Sequence, residues 1–238
     1  MPGEQLLLLV ISFVSSMVTG MIGIGGGLLL VAVMPGFLPS EAVIPVHGVV
    51  QLASNASRAL LAPRHGDLGI ILAFLAGAAL GALAGVPAIG ALPLEAVPIL
   101  LGSFVLLLVW VPRRLFPSRI PGGFFAAGLV QTFLSLFVGA TGPLNGALLA
   151  RRQLPRDRTV ITHAGMMSFL HLAKVLAFAL SGFAFGPYLA LLAGLIVATT
   201  LGSWAGTRLR PRVSEKAFRP IFKGALTLLA LRLLWPWS

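Results

Sequence analysis

The sequence contains no cysteine, and only 10% of its 238 residues are charged. Without cysteine the chain can form no disulfide and no thiolate metal site, and it cannot use a cysteine nucleophile. A soluble domain carries about a quarter charged residues, and a soluble globule of this size could not bury 58% hydrophobic residues. The composition, with a mean hydropathy of +1.00, excludes most soluble enzyme classes and predicts a polytopic membrane protein.

Acidic residues are scarce as well, with six Asp and Glu against 17 Lys and Arg and a formal net charge of +11. In a soluble protein this charge would indicate nucleic-acid binding. Cytoplasmic loops of membrane proteins are rich in Lys and Arg, and anionic lipid headgroups attract them. We therefore expect the lipid bilayer, and no nucleic acid, as a partner. The N-terminus lacks the basic region and cleavage site of a signal peptide, so we interpret it as part of the mature fold.

Breaks rich in proline and glycine divide the chain into eight hydrophobic segments. A membrane-spanning helix needs about 20 apolar residues, and these segments are long enough to predict an all-α polytopic membrane protein. The segments cover residues 5–34, 41–62, 67–90, 94–112, 121–150, 157–181, 186–207 and 217–236.

The first and fifth segments each contain a glycine-rich break. The first break, Gly20–Gly27, reads GMIGIGGG, and the second break, Gly139–Gly146, reads GATGPLNG. Such sequences cannot remain regular helix without cost, and unwound backbone at membrane depth must be buried in protein or line a wet cavity. Close helix packing through glycine is the alternative interpretation. Two dense clusters at matched places favour functional breaks.

The two halves of the chain resemble each other, as in an internal repeat. A shift of 119 residues aligns three glycines of the first break with three of the second. A shift of 116 residues aligns His47 with His163 and Arg58 with Lys174. The matched histidines and matched cations are the least probable accidents in a chain rich in Leu, Ala and Gly.

The distribution of basic residues predicts how the two halves are oriented. Basic residues cluster in four places, and the connections near 35–41, 90–95 and 181–187 have none. If the fifth segment crossed the membrane, the basic loops on its two sides would lie on opposite faces, against the positive-inside bias. If it turns back at its break, both loops lie in the cytoplasm, and the first segment dips in from the opposite face.

Each half then consists of a glycine-broken re-entrant helical hairpin plus three transmembrane helices. Three crossings per half make the halves antiparallel, which gives two inverted repeats with both termini outside. The expected domains are an N-terminal repeat at 1–112, a cytoplasmic linker at 113–120 and a C-terminal inverted repeat at 121–238.

Two polar stripes lie on helix faces, with matching spacings of four, four and three residues. The first stripe comprises His47, Gln51, Asn55 and Arg58. The second stripe comprises His163, Met167, His171 and Lys174. Polar side chains in a bilayer are costly and usually face a cavity or one another. The alternatives are that the cations extend to the headgroups and that the histidines are interfacial or packing residues.

The ionisable residues inside the segments point to an anion. No acidic residue lies deep in any segment, whereas a cation pump normally buries carboxylates. Glycine-rich breaks add backbone N–H groups and helix N-termini, which bind anions. We therefore expect the anion to be bound by residues of the two breaks and stripes: His47, Gln51, Asn55, Arg58, His163, His171, Lys174, Gly23, Gly25, Gly26, Gly27, Thr141, Gly142 and Asn145.

The sequence contains no motif that would support an intramembrane enzyme. It has no His-x-x-x-His, no paired intramembrane Asp and no Gly-x-Ser-x-Gly. We therefore expect no catalytic residue, no metal site and no cofactor. Histidines titrate near neutral pH, which leaves coupling to protons open.

At these motifs the chain resembles the TauE/SafE family of sulfite and organosulfonate exporters. The most specific point is Gly23–Gly27 followed by Pro35, and the Gly-Ala-Thr-Gly-Pro element of the second break supports it. The chain departs from the family's glycine-rich pattern at Pro143, Leu144 and Asn145. The resemblance covers nearly the whole chain and implies a bacterial or archaeal inner-membrane transporter that moves sulfur-containing anions outward.

We therefore predict a carrier in which the anion binds near the membrane midplane, between the two breaks and the two stripes. Lys174 and Arg58 would supply charge, and the histidines would donate hydrogen bonds. Alternating access would follow as one half rocks against the other. A passive anion channel and a carrier for another small anion are the alternatives, and the sequence leaves homo-oligomerisation open.

Overall fold

The computed structural model describes residues 2–23, 25–61, 65–91, 93–112, 122–212 and 215–235, and this part of the chain contains helices and turns but no strand. The predicted segments coincide with helices to within three residues, and the first and fifth are each split in two, while the expected linker at 113–120 lies outside the described residues. The helices are α1 (Pro2–Ile22), α2 (Gly26–Val33), α3 (Ser40–Leu61), α4 (Leu68–Ile89), α5 (Ala96–Trp110), α6 (Gly123–Val138), α7 (Gly142–Ala150), α8 (Arg156–Leu180), α9 (Leu189–Leu209) and α10 (Glu215–Leu234).

Polar residues lie inside the helical bundle and large apolar residues lie outside it. Leu60, Leu83, Leu180 and Leu228 are among the exposed apolar side chains, whereas many Ser, Thr, His and amide side chains are buried. This distribution is opposite to that of a soluble protein and suits a lipid environment. Within the described ranges, four helical stretches are long and apolar enough to cross a membrane, namely Gly3–Ile22, Leu68–Ile89, Arg156–Leu180 and Gly186–Arg212.

Small-residue seams bring two pairs of helices into backbone contact. Gly81 on α4 lies against α6, where an added Cβ would collide with Leu129 O, and Gly202 on α9 lies against α1, where it would collide with Phe13 O. Glycine lets the helix backbones approach this closely. The Gly-x-x-x-Gly spacing in α4 and α9 therefore serves helix packing.

The helix contacts occur in matched sets when the two halves of the chain are exchanged. α1 packs on α9 as α6 packs on α4, and α3 packs on α9 as α8 packs on α4. The matched helices α3 and α8 contact each other and run in opposite directions. His47, early in α3, lies 3.5 Å from Lys174 late in α8. Beyond the other end of α3, the backbone N–H of Asp67, which caps α4, donates to Thr162 Oγ1 early in α8.

The arginine contacts identify one end of the molecule, which we call the basic end. Asp67 pairs with Arg158 there, and the carbonyls of Gly20 and Met21 at the end of α1 accept bonds from Arg210 and Arg156 respectively. The ends of α1, α3 and α9 and the beginnings of α4 and α8 therefore lie together. The other end, which we call the opposite end, holds a cavity of about 240 Å³ between the beginnings of α3 and α5 and the ends of α4 and α8.

Each broken hairpin begins and ends at the same end of the molecule. The Arg152 guanidinium, just after α7, lies 5.3 Å from the centre of the Phe124 ring at the beginning of α6, so the α6–α7 hairpin begins and ends at the basic end. Leu9 on α1 lies against Gly194 near the beginning of α9, and α2 leads through a short turn to Ser40 at the opposite end. The α1–α2 hairpin therefore begins and ends at the opposite end.

Candidate functional site

The two breaks end one helix and begin the next by means of glycines with positive φ. Gly23 and Gly25 have φ of 95° and 112° before α2, and Gly139 has φ of 70° before α7. Side chains with a Cβ rarely adopt this conformation. Three of the eight glycines in the predicted breaks therefore leave the helical conformation, and the N-termini of α2 and α7 lie at the breaks.

A cavity of about 30 Å³, which we call the central cavity, lies where the two breaks meet the two stripes. This volume is enough for a water molecule. The lining combines backbone of both breaks with side chains of both stripes. Its residues are Thr19, Gly25, Gly27, Leu28, His47, Gln51, Asn55, Ala140, Gly142, Pro143, His163, Met167 and His171.

The matched histidines hold the two helix N-termini at the central cavity. His47 Nε2 lies 3.0 Å from Gly27 O, and His163 Nε2 lies 3.0 Å from Gly142 O. Each histidine thus bonds the first turn of the second helix of a hairpin. The first N–H groups of a helix have no partner within that helix, and they carry the positive end of its dipole. The histidines therefore fix two anion-attracting helix ends at one cavity.

Lys174 is fully buried and holds the second break. Its Nζ donates to Gly139 O at 2.7 Å and lies 3.5 Å from His47 Nδ1. The ammonium group therefore does not extend to the lipid headgroups, and the alternative given above for the cations is excluded for this residue. Lys174 does not itself line the central cavity, but it lies directly behind His47, which does.

Arg58 is also buried, and it is held by neutral side chains. Its Nη1 donates to Ser54 Oγ at 2.8 Å and to Ser203 Oγ at 3.1 Å. Its Nη2 donates to Asn55 Oδ1 at 2.6 Å, and Asn55 lines the central cavity. Arg58 therefore lies one side chain behind the wall, on the side of the cavity nearer the basic end.

Neither buried cation has a carboxylate partner in the part of the chain that the structure describes. The two salt bridges found there lie at the basic end and join Arg158 to Asp67 and Arg210 to Asp157. A buried charge without a partner is costly. The surroundings of the central cavity therefore contain two basic side chains that no described carboxylate neutralises.

Two polar atoms of the cavity lining have no hydrogen-bond partner among the described residues. They are Gln51 Nε2 and His171 Nδ1, and both side chains are at least 96% buried. Buried polar groups are nearly always bonded. Two residues of the cavity lining therefore keep unused hydrogen-bonding capacity.

The other predicted site residues support the wall rather than line it. An added Cβ on Gly26 would collide with Ser15 O, and one on Gly23 would lie 2.9 Å from Val160 Cγ2. The packing interpretation of the glycine clusters therefore applies to these two positions.

Thr141 and Asn145 likewise stand behind the wall at the second break. Both bond Gln131 of α6, Asn145 Oδ1 accepting from Gln131 Nε2 at 3.0 Å and Thr141 Oγ1 donating to Gln131 O at 3.4 Å. Asn145 Nδ2 also lies 3.9 Å from Met167 Sδ. These contacts fix the beginning of α7 against α6 and α8.

Sequence reasoning missed the partners that hold the site together. Ser54, Ser203 and Gln131 have no repeated motif, and only their polarity within apolar segments could have indicated them. Arg210 counted as loop charge, yet it is buried and bonds Gly20 O at 2.9 Å.

Apolar side chains on the outside of a helical bundle and polar side chains around two broken helices inside it are the features of a polytopic membrane protein. The family model described as "Sulfite exporter TauE/SafE" matches residues 8–233, and the chain belongs to this family. Membership indicates a membrane transporter of sulfite or related sulfur anions rather than an enzyme. No curated protein and no solved structure matches the chain in the corresponding comparisons.

Proposed function

We propose that this chain is a secondary transporter that exports a small sulfur-containing anion, of the sulfite or organosulfonate class, across the inner membrane by alternating access. The observation that carries the proposal is the central cavity, which lies between two helix N-termini with two buried cations behind its wall. Its lining contains no carboxylate. A bound anion would supply the negative charge that Lys174 and Arg58 lack.

The donors around the cavity suit an oxyanion. Gln51 Nε2 and His171 Nδ1 have no partner in the described part of the chain, and the first turns of α2 and α7 add backbone N–H groups. Hydrogen bonds to an ionised acceptor are about twice as strong as neutral ones. An anion with several oxygens could accept bonds from both halves of the chain at once.

Alternating access is supported by the relation between the halves. The matched helix contacts and the opposite directions of α3 and α8 favour an inverted repeat. The two hairpins start from opposite ends of the molecule and each returns to its own starting end, as an inverted arrangement of the hairpins requires. The anion would then sit between two halves that can rock against each other.

The basic end is proposed to face the cytoplasm, because basic loops are retained there. The absence of cysteine makes a direct test simple. Gln153 and Ser181 are exposed near the basic and opposite ends respectively. We expect a membrane-impermeant maleimide to label Ser181→Cys in intact cells, and Gln153→Cys only after permeabilisation. The reverse pattern would contradict the proposed orientation, as would a cytoplasmic reporter signal after Ser238.

The proposed function is tested by binding and then by flux. Purified protein is heated with sulfite, sulfate, thiosulfate or small sulfonates, and the true substrate should raise the unfolding temperature. The stabilising anion is then followed in proteoliposomes with and without a pH gradient. Uphill accumulation driven by that gradient indicates a proton-coupled carrier, whereas strictly downhill flux favours the channel. Absence of both stabilisation and flux for all four classes would overturn the proposal.

A further inference from the structure

Arg210, just after α9 at the basic end, is buried but incompletely bonded. Its side chain donates from Nε to Gly20 O at 2.9 Å and from Nη1 to Asp157 Oδ1 at 3.2 Å. Its Nη2 is buried and has no partner among the described residues. A buried donor without a partner costs free energy, so a purely structural role leaves this guanidinium poorly satisfied.

The surroundings of Arg210 are rich in positive charge. Arg156 lies at its outer side and donates to Met21 O at 3.4 Å, and both Arg156 and Arg58 are close enough for their charges to act on it. Arg58 also has a buried donor, Nε, without a partner in the described ranges. The carboxylate that Arg210 contacts belongs to Asp157, whose side chain is 74% exposed.

Arg210 lies between the surface of the basic end and the central cavity. On its outer side it contacts exposed Asp157. On its inner side it bonds Gly20, and the preceding residue, Thr19, lines the central cavity. Arg210 therefore lies next to a residue of the cavity lining, on the side of the cavity that faces the basic end.

We propose that Arg210 forms a second anion-binding site, separate from the central cavity, which receives a small oxyanion from the basic end before it moves inward. The proposal rests on the proposed function, because it concerns the same anion. In this structure Arg210 Nη1 is bonded to the Asp157 carboxylate, which would compete with an incoming anion for this donor. An oxyanion in its place could bond Nη1 and Nη2 together, since guanidinium favours such two-point contacts.

The first test counts bound anions. Equilibrium dialysis with radiolabelled sulfite under anaerobic conditions should give two anions per wild-type chain, one for Arg210→Gln, one for Lys174→Met, and none for the double variant. One anion in the wild type that Arg210→Gln retains would overturn the second site and leave the central site standing. Binding that depends on Arg210 but not on Lys174 would overturn the central site, and no binding at all would overturn both.

The second test removes the competitor and keeps every donor. Asp157→Asn should lower the KM for sulfite entering from the basic end of proteoliposomes by about threefold or more, because the anion no longer displaces a carboxylate. Arg210→Gln should raise that KM by about tenfold. If Arg210 only held α1 in place through its bond to Gly20 O, Arg210→Gln would change kcat and leave KM unaltered.

Arg158→Gln is the matched control for Arg210→Gln. Arg158 lies one residue from Asp157 on α8, and its ion pair with Asp67 is exposed at the same end. The control changes the surface charge as much as Arg210→Gln does, so an equal KM change in Arg158→Gln and Arg210→Gln would indicate general surface attraction and overturn the site.

Discussion

The two breaks are held alike by histidine and differently by cations. His47 and His163 each bond a carbonyl in the first turn that follows a break, at 3.0 Å. The carbonyls that precede the breaks also match, since Gly20 and Gly139 align in the repeat. Gly139 O accepts from Lys174 of the second stripe, whereas Gly20 O accepts from Arg210 outside the stripes.

The repeat alone would predict that the cation of each stripe both holds a break and adds charge at the central cavity. The structure shows both contacts only in the second half. Lys174 holds a break and also adds charge at the central cavity. Its counterpart Arg58 adds charge but bonds Ser54, Asn55 and Ser203 instead of the break. The first break is therefore free of its own stripe cation and depends on a residue at the basic end. The second half should dominate anion binding, and the first half should respond to changes at the basic end.

The strongest test of this asymmetry compares Lys174→Met with Arg58→Met. We expect Lys174→Met to weaken anion binding by about a hundredfold or more, because it removes the charge nearest the cavity histidines. Arg58→Met should cost about tenfold, because Asn55 stands between it and the cavity. Isothermal titration of the purified variants measures both affinities.

The fold should survive Lys174→Met, because the desolvation cost of an unpaired buried cation, which the variant removes, is larger than the value of the lost bond to Gly139 O. The unfolding temperature without anion is therefore expected to equal or exceed that of the wild type. Lys223→Met is a control on α10, where the ammonium group lies 4.9 Å from the centre of the Trp110 ring, on a partly exposed side chain. Equal losses of affinity at positions 174 and 58 would contradict the asymmetry.

Much of the fold could be predicted because the sequence patterns on which it depends are local and each is compatible with one kind of structure. Proline and glycine breaks marked the helix ends to within three residues, and matched spacings placed His47 and His163 at one cavity. The seams around Gly81 and Gly202 pack helices as their spacing predicts. These features depend on periodicity and residue size, which are visible in a sequence.

The hydrogen bonds of the basic side chains could not be predicted, because they depend on how the helices pack against each other in three dimensions. The repeat aligns Arg58 with Lys174, but which carbonyl each cation meets is decided by helix offsets of a few ångströms. Arg210 occupies a basic stretch that the sequence presents as loop charge, yet the end of α9 carries it back to Gly20. The inverted repeat, the domain limits and the substrate-binding roles of single residues stay predictions that the experiments above test.

A second comparison concerns the glycines that begin α2 and α7. An added methyl group at Gly26 would collide with Ser15 O, whereas one at Gly142 would meet nothing closer than 3.7 Å. We expect Gly26→Ala to destabilise the protein by about 3 kcal/mol, at the upper end of overpacking costs. Gly142→Ala should be neutral or slightly stabilising, since alanine favours helix.

Thermal unfolding of the two alanine variants in detergent measures this difference. A loss of 3 kcal/mol corresponds to a fall of about 10 °C in Tm for a chain of this length. A similar Tm for both variants would show that the first break is not packed more tightly than the second.

Modest losses of anion affinity are expected where the two halves are most alike, at the histidines. Glutamine at either position keeps a side-chain donor but cannot place it where the imidazole Nε2 lies, so each variant weakens one bond to a carbonyl. His163→Gln should reduce anion affinity by about threefold, the value of a modest neutral hydrogen bond. His47→Gln should reduce it by about tenfold, because His47 Nδ1 also lies 3.5 Å from Lys174 Nζ.

Double variants that combine Lys174→Met with each histidine variant separate the contribution of the carbonyl bond from that of the lysine. The larger loss of affinity at His47 than at His163 should vanish when Lys174 is absent. An excess that persists would assign the difference to the first break itself rather than to the lysine.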